Sequence, residues 1–177
     1  MYHIKNDKRS AASVAKICNG LTACMRTKRF NEIGIAEIAT AAGVSRATFY
    51  RIFDTPYDIL VYLCDKLVQD LILSNPLPGS SDRNQIALQA LEYLTCHADE
   101  IAIVFKAGRM DLLQRALEPY SEQIAPSFAV NASKKELDYI KASLAVRLAA
   151  ILHVWNLHGR EESPGEILGI FTKFKLL

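Results

Sequence analysis

The chain has 177 residues, half of them apolar and 23% charged, which excludes wholesale disorder and suffices for a small domain joined to a larger one. Eight Gly and six Pro are too few for a loop-rich all-β protein, and the four cysteines (Cys18, Cys24, Cys64, Cys96) form no C-x-x-C or paired framework, so they read as buried thiols of a reducing compartment. Net charge is only +2, but residues 1–53 stand at +6 and residues 54–177 at −4, a polyanion-binding head on a body that is not one.

The segment Met1–Arg9 is polar and lacks the apolar stretch of a signal peptide. No uncharged apolar run approaches the ~18 residues of a membrane span, so a soluble, cytoplasmic protein with no membrane partner is expected. Val14, Ile17, Leu21, Cys24 and Met25 recur at steps of three and four and predict a first helix over about 10–27. Short helices are predicted over 35–42 and 46–52. Thr55-Pro56-Tyr57-Asp58 starts the next helix, with Thr as cap, Pro in the first turn and Asp near the positive end. Its stripe is Leu60, Leu63, Leu67 and Leu71, and it stops before the loop Pro76–Ser81.

Asp82, with Gln85 three residues on, opens a helix to about 97 that turns Ile86, Ala90, Leu91 and Leu94 inward. A short segment around 99–106 follows. Met110, Leu113, Ala116, Leu117 and Tyr120 then outline one helix ending before Pro126. Ser133 and Glu136 form a capping box for the longest helix, about 134–158, with a stripe of Leu137, Ile140, Leu144, Leu148, Ile151, Leu152 and Trp155. Opposite lie Ala142, Ala145, Ala149 and Ala150, small enough for close helix–helix approach. Gly159 ends this helix, and Ser163-Pro164-Gly165-Glu166 starts a last one to about 174. No strand shows convincing alternation, so the expected fold is all-α.

The informative stretch runs from Ile35 to Phe53. Ile35, Ile38, Ala39 and Ala42 form the inner face of a two-turn helix, and Gly43 supplies the positive φ that a tight reversal needs. Val44 plugs the corner, Ser45 caps the next helix, and Phe49 and Phe53 anchor it to the core. This is the grammar of a helix-turn-helix, whose second helix enters the major groove of double-stranded DNA. With both phenylalanines inward, Arg46, Ala47, Thr48, Tyr50 and Arg51 lie outward or in the first turn. An Arg can fork onto guanine, a Thr methyl can meet a thymine methyl, and a Tyr hydroxyl can reach a phosphate.

At these residues the sequence resembles the tetracycline-repressor (TetR/AcrR) family of bacterial regulators. The match runs from Phe30 through Ile35–Ala39, Ala42-Gly43-Val44-Ser45 and Thr48-Phe49-Tyr50 to Phe53 and Ile59-Leu60, with a fainter echo at Trp155–Gly159 and Ser163-Pro164. The resemblance implies about nine helices: a three-helix DNA-binding domain over 1–54, and a helical body over 55–177 that dimerises and often binds a small inducer. It departs from the pattern at Gly34, where a Thr is frequent, at Arg29 and Ala47, where Gly is usual, and at Pro56, where a Lys often touches backbone phosphate. Phosphate contacts are therefore expected to fall to Lys5, Lys8, Arg9, Lys28 and Arg29.

No nucleotide-binding, zinc-protease or hydrolase motif appears, so neither an enzyme nor a cofactor is expected. His153 and His158 are five apart, a poor spacing for joint ligation, and Cys96-His97 are adjacent; no metal is expected. Tyr93, Phe105, Met110, Leu113, Tyr120 and Trp155 are candidates to line a cavity for a small apolar inducer. The alanine face (Ala142, Ala145, Ala149) and Ile167, Ile170, Phe171 and Phe174 are candidates for a homodimer interface. The expected function is a repressor bound as a homodimer to an inverted-repeat operator. The alternative is a protein-partner coactivator of the same fold that has lost DNA binding.

Overall fold

The computed structural model describes residues 1–4, 8–74, 82–129 and 131–174, with the side chain of Lys8 not included. The expected loop Pro76–Ser81 and the phosphate contact assigned to Lys5 lie outside the described residues, as does the side chain of Lys8. Among the described residues the fold is all-α, with no strand and only an isolated antiparallel bridge between Tyr2 and Phe53. The chain divides into two compact units, Met1–Cys64 with Ile103–Arg109, and Asp65–Ala102 with Met110–Leu177.

The first unit holds α1 (Lys8–Cys24), a 3-10 turn (Phe30–Glu32), α2 (Ile35–Ala42), α3 (Arg46–Tyr50) and the first half of α4 (Pro56–Ser74). Val14, Ile17, Leu21 and Met25 from the α1 region meet Ile38 and Ala39 of α2, together with Phe49, Ile52 and Phe53, in one buried core. Each of these side chains larger than alanine contributes roughly 1.5–3 kcal/mol when fully buried. The closest approach is between α1 and α2: a Cβ at Gly20 would stand 2.7 Å from the Ile38 carbonyl oxygen. On α4 the inward stripe is Ile59, Leu60, Cys64, Leu67, Val68 and Leu71, and Leu63 is only half-buried. Thr55 and Asp58 start α4 as expected, with Thr55 N–H donating to Asp58 Oδ2 at 2.8 Å and its hydroxyl donating at 2.9 Å. Lys106 donates to the Met25 carbonyl at the end of α1, and Arg109 sits 4.5 Å above the Tyr57 ring.

The second unit holds the rest of α4 and α5 (Arg83–Cys96), the start of α6 (Ala98–Lys106), then α7 (Met110–Ala116), α8 (Glu118–Phe128), α9 (Lys134–Leu157) and α10 (Pro164–Lys173). The single helix expected from Met110 to before Pro126 is two helices. Pro119 has no N–H for the Arg115 carbonyl, so the ladder breaks at Leu117 and restarts with Pro119 in the first turn of α8. Pro126 falls inside α8 rather than beyond it, in the last turn, where only one internal hydrogen bond is lost. Ser133 and Ser163 accept from the N–H groups of Glu136 and Glu166, and both glutamates return a carboxylate to the serine N–H: the two expected capping boxes form.

Along α9 the buried side chains are Leu144, Ala145, Ala149, Leu152 and Trp155. Ala145 and Ala149 are thus core residues packed within their own unit, which corrects their assignment to a free alanine face. Of the alanines assigned to an interface only Ala142 is exposed. The exposed side of α9 carries larger groups instead: Tyr139, Val146, Val154 and Leu157. By length and composition α9 is apolar enough to cross a membrane, but it packs against α7 and α8 through its buried side. The thiols also divide: Cys64 lies in the core, whereas Cys96 is exposed.

Candidate nucleic-acid interface

The corner between α2 and α3 is built from backbone. Gly43 has φ +62°, its N–H donates to the Thr40 carbonyl at 3.1 Å, and Val44 N–H donates to the Ala39 carbonyl at 3.0 Å. These are the two bonds of a Schellman motif, and they close α2 with a left-handed residue that glycine adopts at least cost. At the other end, Gly34 offers no side chain as a cap. Glu37 substitutes, accepting from Gly34 N–H through Oε2 at 3.0 Å while Oε1 pairs with Lys28. Both contacts hold the Glu37 carboxyl below the usual range, the backbone bond first and Lys28 second.

Ser45 opens α3 by accepting from Thr48 N–H at 3.0 Å, and its hydroxyl lies 3.0 Å from that of Thr48. Phe49 is fully buried, and a run of ring contacts leads from Tyr50 to Phe49, Phe53, Tyr62 and Tyr2. Anchored this way, the short helix cannot rotate about its axis without exposing Phe49. Its outward face is therefore fixed: Arg46, Ala47, Tyr50 and Arg51 are exposed, and Thr48 is half-buried against the cap. Neither Arg46 nor Arg51 has a side-chain hydrogen bond or ion pair among the described residues, and Arg9 and Arg26 are alike in this.

Lys28 and Arg29 differ. Lys28 pairs with Glu37, which raises its pKa, and Arg29 makes a 2.6 Å ion pair with Glu32. Among the described residues the +6 head thus keeps unpaired charge on Arg9, Lys16, Arg26, Arg46 and Arg51, while two of the residues expected to grip phosphate, Lys28 and Arg29, are already held by carboxylates. The charge count found the head, and the i,i+3 spacing of Arg29 and Glu32 was the signal that their charges cancel.

The second unit contains a partly open cavity of about 50 Å³ between α5, α8, α9 and α10. Of the six residues expected to line a cavity, Tyr120 lines this one. Tyr93 is stacked on His97 at 4.3 Å, Leu113 is packed in the core, and Trp155 is spent as an anchor, donating from Nε1 to the Glu162 carbonyl at 2.9 Å. Phe105 belongs to the first unit, and Met110 stands partly exposed at the start of α7. Ile86, Leu91, Ile124, Leu144 and Phe171 form apolar walls, with Ser121 and Arg147 as polar members. Phe171, expected at a dimer interface, thus faces this cavity, and Ile167 is buried; Ile170 and Phe174 are exposed.

No family model and no curated protein matches this sequence. Solved structures do match. The crystal structure of Lin0861 from Listeria innocua superposes with a TM-score of 0.74 at 16% identity, over 98% of this chain and 94% of that one. AlkX from Dietzia sp., a TetR family repressor implicated in biodegradation of n-alkanes, superposes with a TM-score of 0.55 at 13% identity, over 97% of this chain and 95% of that one. The fold is TetR-like along its whole length, as the resemblance at residues 30–60 implied.

Proposed function

We propose that this chain is a sequence-specific DNA-binding transcriptional regulator, a cytoplasmic repressor that binds an inverted-repeat operator as a homodimer. One observation carries the reading: the α2–Gly43–α3 corner holds Phe49 in the core and leaves Arg46, Ala47, Tyr50 and Arg51 exposed, with neither arginine partnered among the described residues. Solvated, unpaired guanidiniums on a rigid helix suit bidentate contact with guanine O6 and N7. Arg9 and Arg26 add sequence-independent attraction to phosphate. The match to a TetR family repressor supports the same reading.

A dimer is supported by the exposed apolar side chains of α9 and α10, namely Tyr139, Val146, Val154, Leu157, Ile170 and Phe174. A symmetric interface buries such a set against its own copy, and a palindromic operator requires the same two-fold axis. The test is selection from genomic fragments with the full chain at low salt, followed by Arg46→Ala. The variant relaxes base preference at one position in each half-site and costs ~1–3 kcal/mol. A wild-type protein that selects no sequence overturns the proposal.

A further inference from the structure

We propose that Met1–His3 is a strap that fixes the pose of α3, with Tyr2 as its anchor, and so acts as a positioning element for Arg46, Tyr50 and Arg51. Its purpose rests on the DNA-binding reading above, whereas its hold on α3 does not. A helix of five residues makes too few internal bonds to hold itself, since isolated helices shorter than ~12–15 residues are marginal in water. Its pose is set by what grips its two ends. The entry is gripped by Gly43 and the Ser45 cap. The exit runs through Ile52 and Phe53 toward α4 at Pro56, and there Met1–His3 lies across it.

Tyr2 and Phe53 stand opposite each other in the antiparallel bridge. His3 N–H donates to the Ile52 carbonyl at 2.7 Å, and Asp54 N–H donates to the Met1 carbonyl at 3.3 Å. These bonds flank the pair rather than joining it, the arrangement in which opposed side chains come closest. Both rings then meet Tyr62 of α4, Tyr2 edge-on at 5.5 Å and Phe53 at 5.9 Å. Phe53 in turn lies 6.1 Å from Phe49, which holds α3 to the core. The Met1 nitrogen donates to Asp58 Oδ1 at 2.5 Å, and His3 Nε2 lies 3.3 Å from Asp54 Oδ1. The strap thus holds both sides of one corner: Ile52 and Asp54 where the chain leaves α3, and Asp58 and Tyr62 in the first two turns of α4.

Two features separate this role from general stabilisation. Phe49, Ile52 and Phe53 are buried in a core that α1 and α2 also build, so the core outlasts the strap. The strap itself consists of two backbone bonds, a half-buried ring and the exposed residues Met1 and His3, and segments of this kind open at low cost. With the strap open, α3 tilts about the Gly43 corner. Apparent affinity for a base sequence then falls in proportion to the time spent in the competent pose. Attraction to phosphate depends on charge rather than pose, and it remains.

The test uses the full chain and three variants. Tyr2→Ala removes the anchoring ring, and His3→Pro removes the N–H that bonds Ile52. His3→Ala keeps that bond and removes only the exposed imidazole. Amide hydrogen exchange is measured without DNA, and binding is measured to the sequence the wild type selects and to a scrambled duplex. Tyr2→Ala and His3→Pro should speed exchange over residues 49–54 about tenfold while α1 and α2 stay within about twofold. Both should weaken binding to the selected sequence about tenfold and to the scrambled duplex by no more than about twofold. His3→Ala should match the wild type within about twofold throughout, because an exposed pair contributes little. Should Tyr2→Ala fail to fold, the contrast between the two His3 variants decides. Unchanged exchange over 49–54, exchange that rises equally in α1 and α2, or equal losses on the two duplexes overturns the positioning role. Exchange that rises only over 49–54, in a protein whose wild type selects no sequence, upholds the strap and removes the regulator reading instead.

Discussion

A methyl group added at Gly20 separates two opposing effects by their sign. Glycine in a helix interior is ordinarily about 1 kcal/mol worse than alanine, so Gly20→Ala in the middle of α1 would be expected to stabilise the protein. The packing argues the reverse. An added Cβ would lie 2.7 Å from the Ile38 carbonyl oxygen, 2.9 Å from Ala42 Cβ and 3.0 Å from Ala42 N. Two of these three atoms belong to backbone, which cannot rotate aside as a flexible side chain would. Overpacking of this kind costs ~1–3 kcal/mol, so the net change is a loss of roughly 1 kcal/mol, and Tm falls by about 2–4 °C for a chain of this size. Relief of the contact requires α2 to move away from α1, and α2 carries the corner that sets α3. Operator affinity should therefore fall by more than the loss of folded protein explains. Thermal unfolding followed by circular dichroism, with DNA binding measured well below the transition, checks both parts. A variant that melts at or above the wild-type temperature refutes the close-packing argument.

Glu32→Gln should release Arg29 from its carboxylate, tightening DNA binding and steepening the dependence of log affinity on log salt by ~0.9; an unchanged slope would show that Arg29 does not reach phosphate. Val146→Glu together with Leu157→Glu should yield a monomer in light scattering at micromolar concentration, because both side chains are exposed and apolar on one side of α9; dimers that persist place the interface elsewhere. Asp58→Asn should destabilise at neutral pH. Burial alone would push the Asp58 carboxyl up, but the N-terminal ammonium and Thr55 together hold it below its ordinary value. A lowered folded pKa means that the stabilisation is full above the unfolded value of ~3.9 and disappears as pH falls through the folded one. The melting curves of Asp58→Asn and wild type should converge in strong acid, and a gap that stays constant down to pH 2 would exclude this linkage.

What could be read from residues alone was set by short-range physics. Ser133 with Glu136 and Ser163 with Glu166 satisfy backbone donors within four residues, so their helix starts need nothing from the rest of the chain. The α2–α3 corner is equally local, because Gly43 and Ser45 act on groups no more than five residues away. The break between α7 and α8 was also local, written in Pro119, and was masked by an apolar pattern that runs through it from Leu113 to Tyr120. Gly20 is a different case. Its constraint comes from Ile38 and Ala42, about twenty residues on, and a glycine in a helical pattern says nothing of what crosses it.

The same division governs the two candidate sites. Arg46 and Arg51 are outward because Phe49 is inward, a relation that helical geometry imposes on any sequence with this spacing. The pairing of Lys28 with Glu37 crosses a turn, so the sequence shows both charges without showing that they meet. Alanine on α9 is ambiguous for a physical reason: a methyl group suits a close internal crossing as well as a free interface, and Ala145 and Ala149 serve the former. The cavity is the least local feature, assembled from four helices between Ile86 and Phe171. Its trace in the sequence is two polar residues within otherwise apolar settings, Ser121 between Tyr120 and Ile124, and Arg147 between Leu144 and Leu148. A polar side chain on an inward stripe is costly unless something pairs with it, and which groups from the other helices come to pair with it is not written in its own segment.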